Sequence, residues 1–67
     1  MSFYVRRTNR ESGRVGWTGP IRSERQVAKE AAAWEDAGWT AEVLPTSREV
    51  VGLVRAWQSA NRIARGA

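Results

Sequence analysis

The chain contains no cysteine and no histidine. Without cysteine there is no disulfide, no thiolate metal site and no thiol nucleophile. Without histidine, the commonest general base and metal ligand is missing as well. The seven carboxylates are scattered, and most fall where they cap helices or face water. Ser12, Ser23, Ser47 and Ser59 have no base beside them, and Gly13-x-x-Gly16 precedes no helix, so it is no phosphate loop. The expectation is a non-enzymatic protein with no catalytic residue, no metal and no cofactor. Long apolar runs are missing too. Nothing approaches the ~20 residues of a membrane span, and the first residues carry no signal-peptide apolar stretch. A cytoplasmic protein with no membrane partner is expected.

Lysine is almost absent: Lys29 stands against ten arginines, and the net charge is +4. Arginine is the better ligand for phosphate and base edges. A GC-rich coding sequence produces the same bias, and alanine and glycine are abundant here as well. The charge is uneven. Residues 1–25 hold six arginines and two glutamates. Residues 26–47 hold Lys29 against Glu30, Glu35, Asp36 and Glu42, and residues 48–67 hold four arginines and Glu49. Both ends are basic and the middle is acidic, which speaks to partners and solubility.

A chain of 67 residues makes one domain with a marginal core. Trp17, Trp34, Trp39 and Trp57 are spread over separate segments. Each aromatic can bury roughly 150–250 Å², so the four read first as core.

Residues 2–8 are strand formers, with Phe3 and Val5 on one face and Tyr4, Arg6 and Thr8 on the other. A polar loop ending in Gly13 follows, then a second strand over 14–19 closed by Gly19-Pro20. These make a hairpin over residues 2–19. Ser23 and Gln26 predict a capping box and a helix over 24–37, ended by Gly38. A strand follows over 39–44 and stops at Pro45. Thr46 and Glu49 predict a second capping box, opening a helix over 47–65 about 28 Å long.

The expected fold is α+β in the order β-β-α-β-α. The simplest sheet is three-stranded and antiparallel, in strand order 2-1-3, packed on the first helix. One sheet face is expected to carry Phe3, Val5, Val15, Trp17, Trp39, Ala41 and Val43 beneath Val27, Ala31 and Trp34. The other face, with Tyr4, Arg6, Thr8, Thr18 and Thr40, is read as polar and solvated. The last helix has an apolar line of Val50, Leu53, Val54, Trp57, Ala60 and Ala64, which needs cover from the same core or from a second copy. The small core makes a homodimer one of the expectations.

The opposite line of that helix is Arg48, Gly52, Arg55, Ser59 and Arg62, at steps of four, three, four and three residues. Arg48, Arg55 and Arg62 can neutralise phosphates, while Gly52 and Ser59 let the helix come close. Gln58, Asn61, Arg62 and Arg65 are side chains that hydrogen-bond base edges. Asn61 falls near the apolar seam, so reaching bases requires the helix end to project beyond the core. A second basic patch, Arg6, Arg7, Arg10 and Arg14, lies on the hairpin, with Arg6 also placed to pair with Glu42 across neighbouring strands. A strand between the two helices excludes a helix-turn-helix. The leading expectation is a small basic protein contacting the backbone of duplex DNA. The alternative is a module or inhibitor that binds an acidic protein surface. A line of this kind that faces only water is the plain structural alternative.

Overall fold

Strand formers, a loop that an asparagine closes, and two serine caps divide the chain into five elements. The computed structural model describes residues 1–66, with side-chain surroundings through Asn61. The order is β1 (Phe3–Asn9), β2 (Val15–Ile21), α1 (Glu24–Asp36), β3 (Trp39–Pro45) and α2 (Arg48–Gly66). The sheet is antiparallel, in the order β2-β1-β3. This is the expected α+β architecture.

Local chemistry explains the boundaries. Asn9 Oδ1 accepts from the backbone of Glu11 at 2.9 Å and of Ser12 at 3.0 Å, an Asx-type turn that reverses the chain. Gly13 finishes the turn at φ 74°. Ser23 Oγ accepts from Gln26 N at 3.2 Å, satisfying one free donor of α1. At the other end Gly38, at φ 92°, donates to the Glu35 carbonyl. The cap of α2 lies one residue later than the sequence pattern predicts. Ser47 Oγ accepts from Val50 N at 3.1 Å. Thr46 is drawn into the sheet instead, its N–H donating to Ser2 O at 2.9 Å and its hydroxyl bonding Ser2 Oγ at 2.7 Å.

Both faces of the sheet are covered. On one, α1 lays Val27, Ala31 and half-buried Trp34 against Phe3, Val5, Ile21 and Ala41. On the other, α2 lays Val50, Val54, Val51 and Trp57 against Tyr4, Trp17 and Leu44. The face read as polar and solvated is therefore a second core, and Tyr4 in it is only 9% exposed. Half-buried Leu44 packs against this core too.

The register of the hairpin decides this. Arg6 pairs with Trp17, Arg7 with Gly16 and Thr8 with Val15. Directly opposed residues of an antiparallel pair share a face. Trp17 and Val15 thus lie with Tyr4, Arg6 and Thr8, not with Phe3 and Val5, and Thr18 lies on the α1 face. Between the Val5–Thr18 and Phe3–Ile21 pairs, Gly19 and Pro20 stand against the single Tyr4. That bulge returns Ile21 to the α1 face. The strand consequently runs through Gly19-Pro20, which the sequence pattern had closing it; Pro20 is tolerated because β2 is an edge strand.

Candidate nucleic-acid interface

Helix α2 presents its expected basic line to solvent. Val50 and Val54 point into the core, and Arg48, Gly52, Arg55 and Ser59, on the opposite side, are exposed. Neither Arg48 nor Arg55 has a carboxylate within ion-pair distance among the described residues, where the one ion pair joins Arg6 to Glu42. Arg62 and Arg65, the other arginines expected in this site, lie outside the described side chains. The apolar line differs in detail: Val51 is half-buried against the core, whereas Leu53 is 45% exposed and Ala60 is exposed. The seam on the sheet is narrower than the spacing suggests: among the described residues of α2, Val50 and Val54 are the two that are buried.

Gly52 has no structural reason in the fold. A Cβ built there meets nothing within 4 Å, and glycine inside a helix costs roughly 0.8–1.0 kcal/mol relative to alanine. Gly52→Ala is therefore expected to raise stability by about that amount in a urea melt. A decrease would mean that the helix needs this glycine for itself.

Beyond Trp57 the helix leaves the sheet. Gln58, Ser59, Ala60 and Asn61 are all exposed, and they cover one full turn. The projection that the Asn61 position demanded is thus present. Asn61 itself uses Nδ2 to donate to the Trp57 carbonyl at 2.9 Å, and Gln58 is free of protein hydrogen bonds among the described residues.

The hairpin arginines divide. Arg10 and Arg14 stand exposed on the loop. Arg6 lies on the α2 face and is ion-paired with Glu42, the two side chains 43% and 52% exposed. At such exposure the pair contributes at most about 1 kcal/mol, but it neutralises the charge. Arg7 points to the other face. Its guanidinium stacks 4.2 Å from the centre of the Trp34 ring and lies 5.7 Å from Trp39 and 6.0 Å from Trp57. Trp34 and Trp39 meet edge to face at 5.3 Å. Arg7 Nη1 donates to Thr18 Oγ1 at 2.5 Å, while buried Nε has no partner. Burial lowers the Arg7 pKa from its ordinary value, yet a guanidinium stays charged. Sequence spacing marked Arg7 as a surface charge; its stacking on tryptophans from other elements left no trace in the local pattern.

Charge is segregated across the sheet. On one face, α1 carries Glu24, Glu30, Glu35 and Asp36 against Arg25 and Lys29, with Arg7 of β1 beneath it; on the other, among the described side chains, α2 carries Arg48 and Arg55 against Glu49. Among the described residues no group of three or more His, Cys, Asp or Glu side chains is placed to hold a metal ion, and no helix is long and apolar enough to cross a membrane. No protein-family model matches the sequence, and no curated protein or solved structure matches it either.

Proposed function

We propose that the protein binds nucleic acid, with duplex DNA the favoured form, through the outer face of α2. The observation that carries this reading is the separation of charge by the sheet. Arg48 and Arg55 of α2, without an ion-pair partner among the described residues, face one way and the acidic surplus of α1 faces the other, so a polyanion is attracted to the α2 side and repelled from the α1 side. Arg48 and Arg55 sit two turns apart, about 10.5 Å at 1.5 Å per residue, with Gly52 leaving room for a phosphate backbone between them. The exposed turn after Trp57 has the diameter that a major groove admits, and Gln58 is of the type that reads adenine there. Arg10 and Arg14 on the hairpin loop remain as further phosphate contacts, while Arg6 contributes little because Glu42 neutralises it, and Arg7 because it is held among tryptophans on the α1 side of the sheet.

The test is a titration of random duplex DNA at several salt concentrations, followed by fluorescence anisotropy. Counterion release gives a slope of roughly 0.9 per neutralised phosphate in a plot of log affinity against log salt. The double variant Arg48→Ala/Arg55→Ala is expected to bind more weakly and to flatten that slope by nearly two. Lys29→Ala, on α1, is expected to change neither. Gly52→Leu, which fills the space between the arginines, is expected to weaken binding without loss of helix. Equal affinity of the double variant and the wild type would sink the α2 site. Absence of duplex binding altogether would leave the same face to an acidic protein partner.

A further inference from the structure

We infer that the free edge of β3 pairs with β3 of a second copy of this chain, giving a continuous six-stranded sheet. The two edges of the sheet differ. The β2 edge is broken by the Gly19–Pro20 bulge. The β3 edge has no bulge, and its one charge and its one proline are not placed to stop another strand from adding. Its seven residues, Trp39 to Pro45, pair with Asn9 to Phe3 in unbroken register. Its one charge, Glu42, is already neutralised by Arg6, and Pro45 is at the last position. Val43, on the α1 face opposite Val5, is 40% exposed.

A second copy fits this edge because an antiparallel pair of identical strands is self-complementary about a two-fold axis, and side-chain chemistry selects where the axis falls. An axis through Glu42 sets Glu42 against its own copy, a like-charge pair that is destabilising. An axis through Val43 asks Pro45, which has no N–H, to join the ladder. An axis through Ala41 sets Thr40 against Glu42 and Trp39 against Val43. That register pairs an aromatic with a β-branched residue and covers the exposed valine. The axis stands normal to the sheet, so both copies of α2 lie on one side of the dimer and both copies of α1 on the other. Two basic helices would then share one face. The dimer itself does not depend on the nucleic-acid reading, and its failure leaves the titration above untouched.

Sedimentation equilibrium tests the state, and cysteine chemistry tests the surface. The wild-type chain is expected to approach twice its mass of 7.5 kDa as concentration rises. Val43→Lys is expected to keep its far-UV circular dichroism while dissociating on the order of tenfold more readily, because a charge on an edge opposes strand addition. The chain has no cysteine of its own, so Ala41→Cys reports one contact. Opposed Cα atoms in an antiparallel ladder are about 4.5–5.5 Å apart, within disulfide reach, and mild oxidation is expected to join the copies. Val15→Cys, exposed on the β2 edge, is expected to stay unjoined. If Val43→Lys fails to fold, the cross-linking comparison decides alone. A monomer at every concentration, a dimer that Val43→Lys leaves intact, or equal cross-linking at the two cysteine positions would overturn the inference.

Discussion

Replacing Trp17 with alanine is expected to remove most of the stability of the protein. Trp17 is 8% exposed, meets Tyr4 edge to face at 6.4 Å and supports Val50 and Val54 of α2. Truncating a buried tryptophan costs about 3–5 kcal/mol. A domain of this length has roughly 3–10 kcal/mol in total, at 0.05–0.15 kcal/mol per residue. The loss has no cheap remedy. Among the described residues the second core holds four buried ones, so a cavity in it leaves α2 with little to rest on, and an isolated helix is marginal in water. Thermal melting followed by circular dichroism is expected to show a drop of more than about 12 °C. A change below about 1 kcal/mol would mean that α2 is held by something other than this tryptophan, and the account of two cores would fail.

Gly19→Ala is expected to cost at least about 2 kcal/mol, combining left-handed strain with overpacking. Gly19 sits at φ 142°, and an added Cβ would lie 2.8 Å from the Phe3 carbonyl oxygen and 2.9 Å from the Tyr4 ring. One obstacle is backbone and the other is a core side chain, so neither yields easily. Gly16→Ala is the contrasting case. The three atoms nearest its Cβ would all belong to the guanidinium of Arg7, the first at 2.7 Å. That group is the far end of a flexible side chain and can swing away, giving up its stacking on Trp34 and its hydrogen bond to Thr18, so a smaller loss than at Gly19 is expected. Urea unfolding of the two variants in parallel checks the difference. Equal losses would mean that the backbone at the Gly19 bulge is no harder to perturb than the Arg7 side chain.

The hairpin also shows where reading a sequence fails. Strand alternation counted from Phe3 assigns Val15 and Trp17 to the α1 face, but alternation within each strand says nothing about how two strands are offset. The turn closed by Asn9 sets the pairing so that Arg6 opposes Trp17, and that places a large aromatic on the far side of the sheet. Ile21 then returns to the near side because one bulge adds one residue. Arg7 was invisible for a related reason: its neighbours Trp34, Trp39 and Trp57 come from three other elements. Arg48 and Arg55, by contrast, were legible, since helical period alone puts them opposite Val50 and Val54. The spacing of Thr46 and Glu49 predicts Thr46 as a cap, while its partner Ser2 lies at the far end of the chain.

Element order, the β1–β2 hairpin and the outward basic line of α2 follow from residues close in sequence: caps, turn residues and the 3.6-residue period. These interactions are local, so the chain carries them wherever it folds. Which sheet face receives Trp17, that α2 covers the face opposite α1, and that acidic and basic helices end on opposite sides were decided by tertiary structure. Those outcomes depend on strand register and on burying a second apolar stripe, and both are set by contacts between residues far apart in the chain.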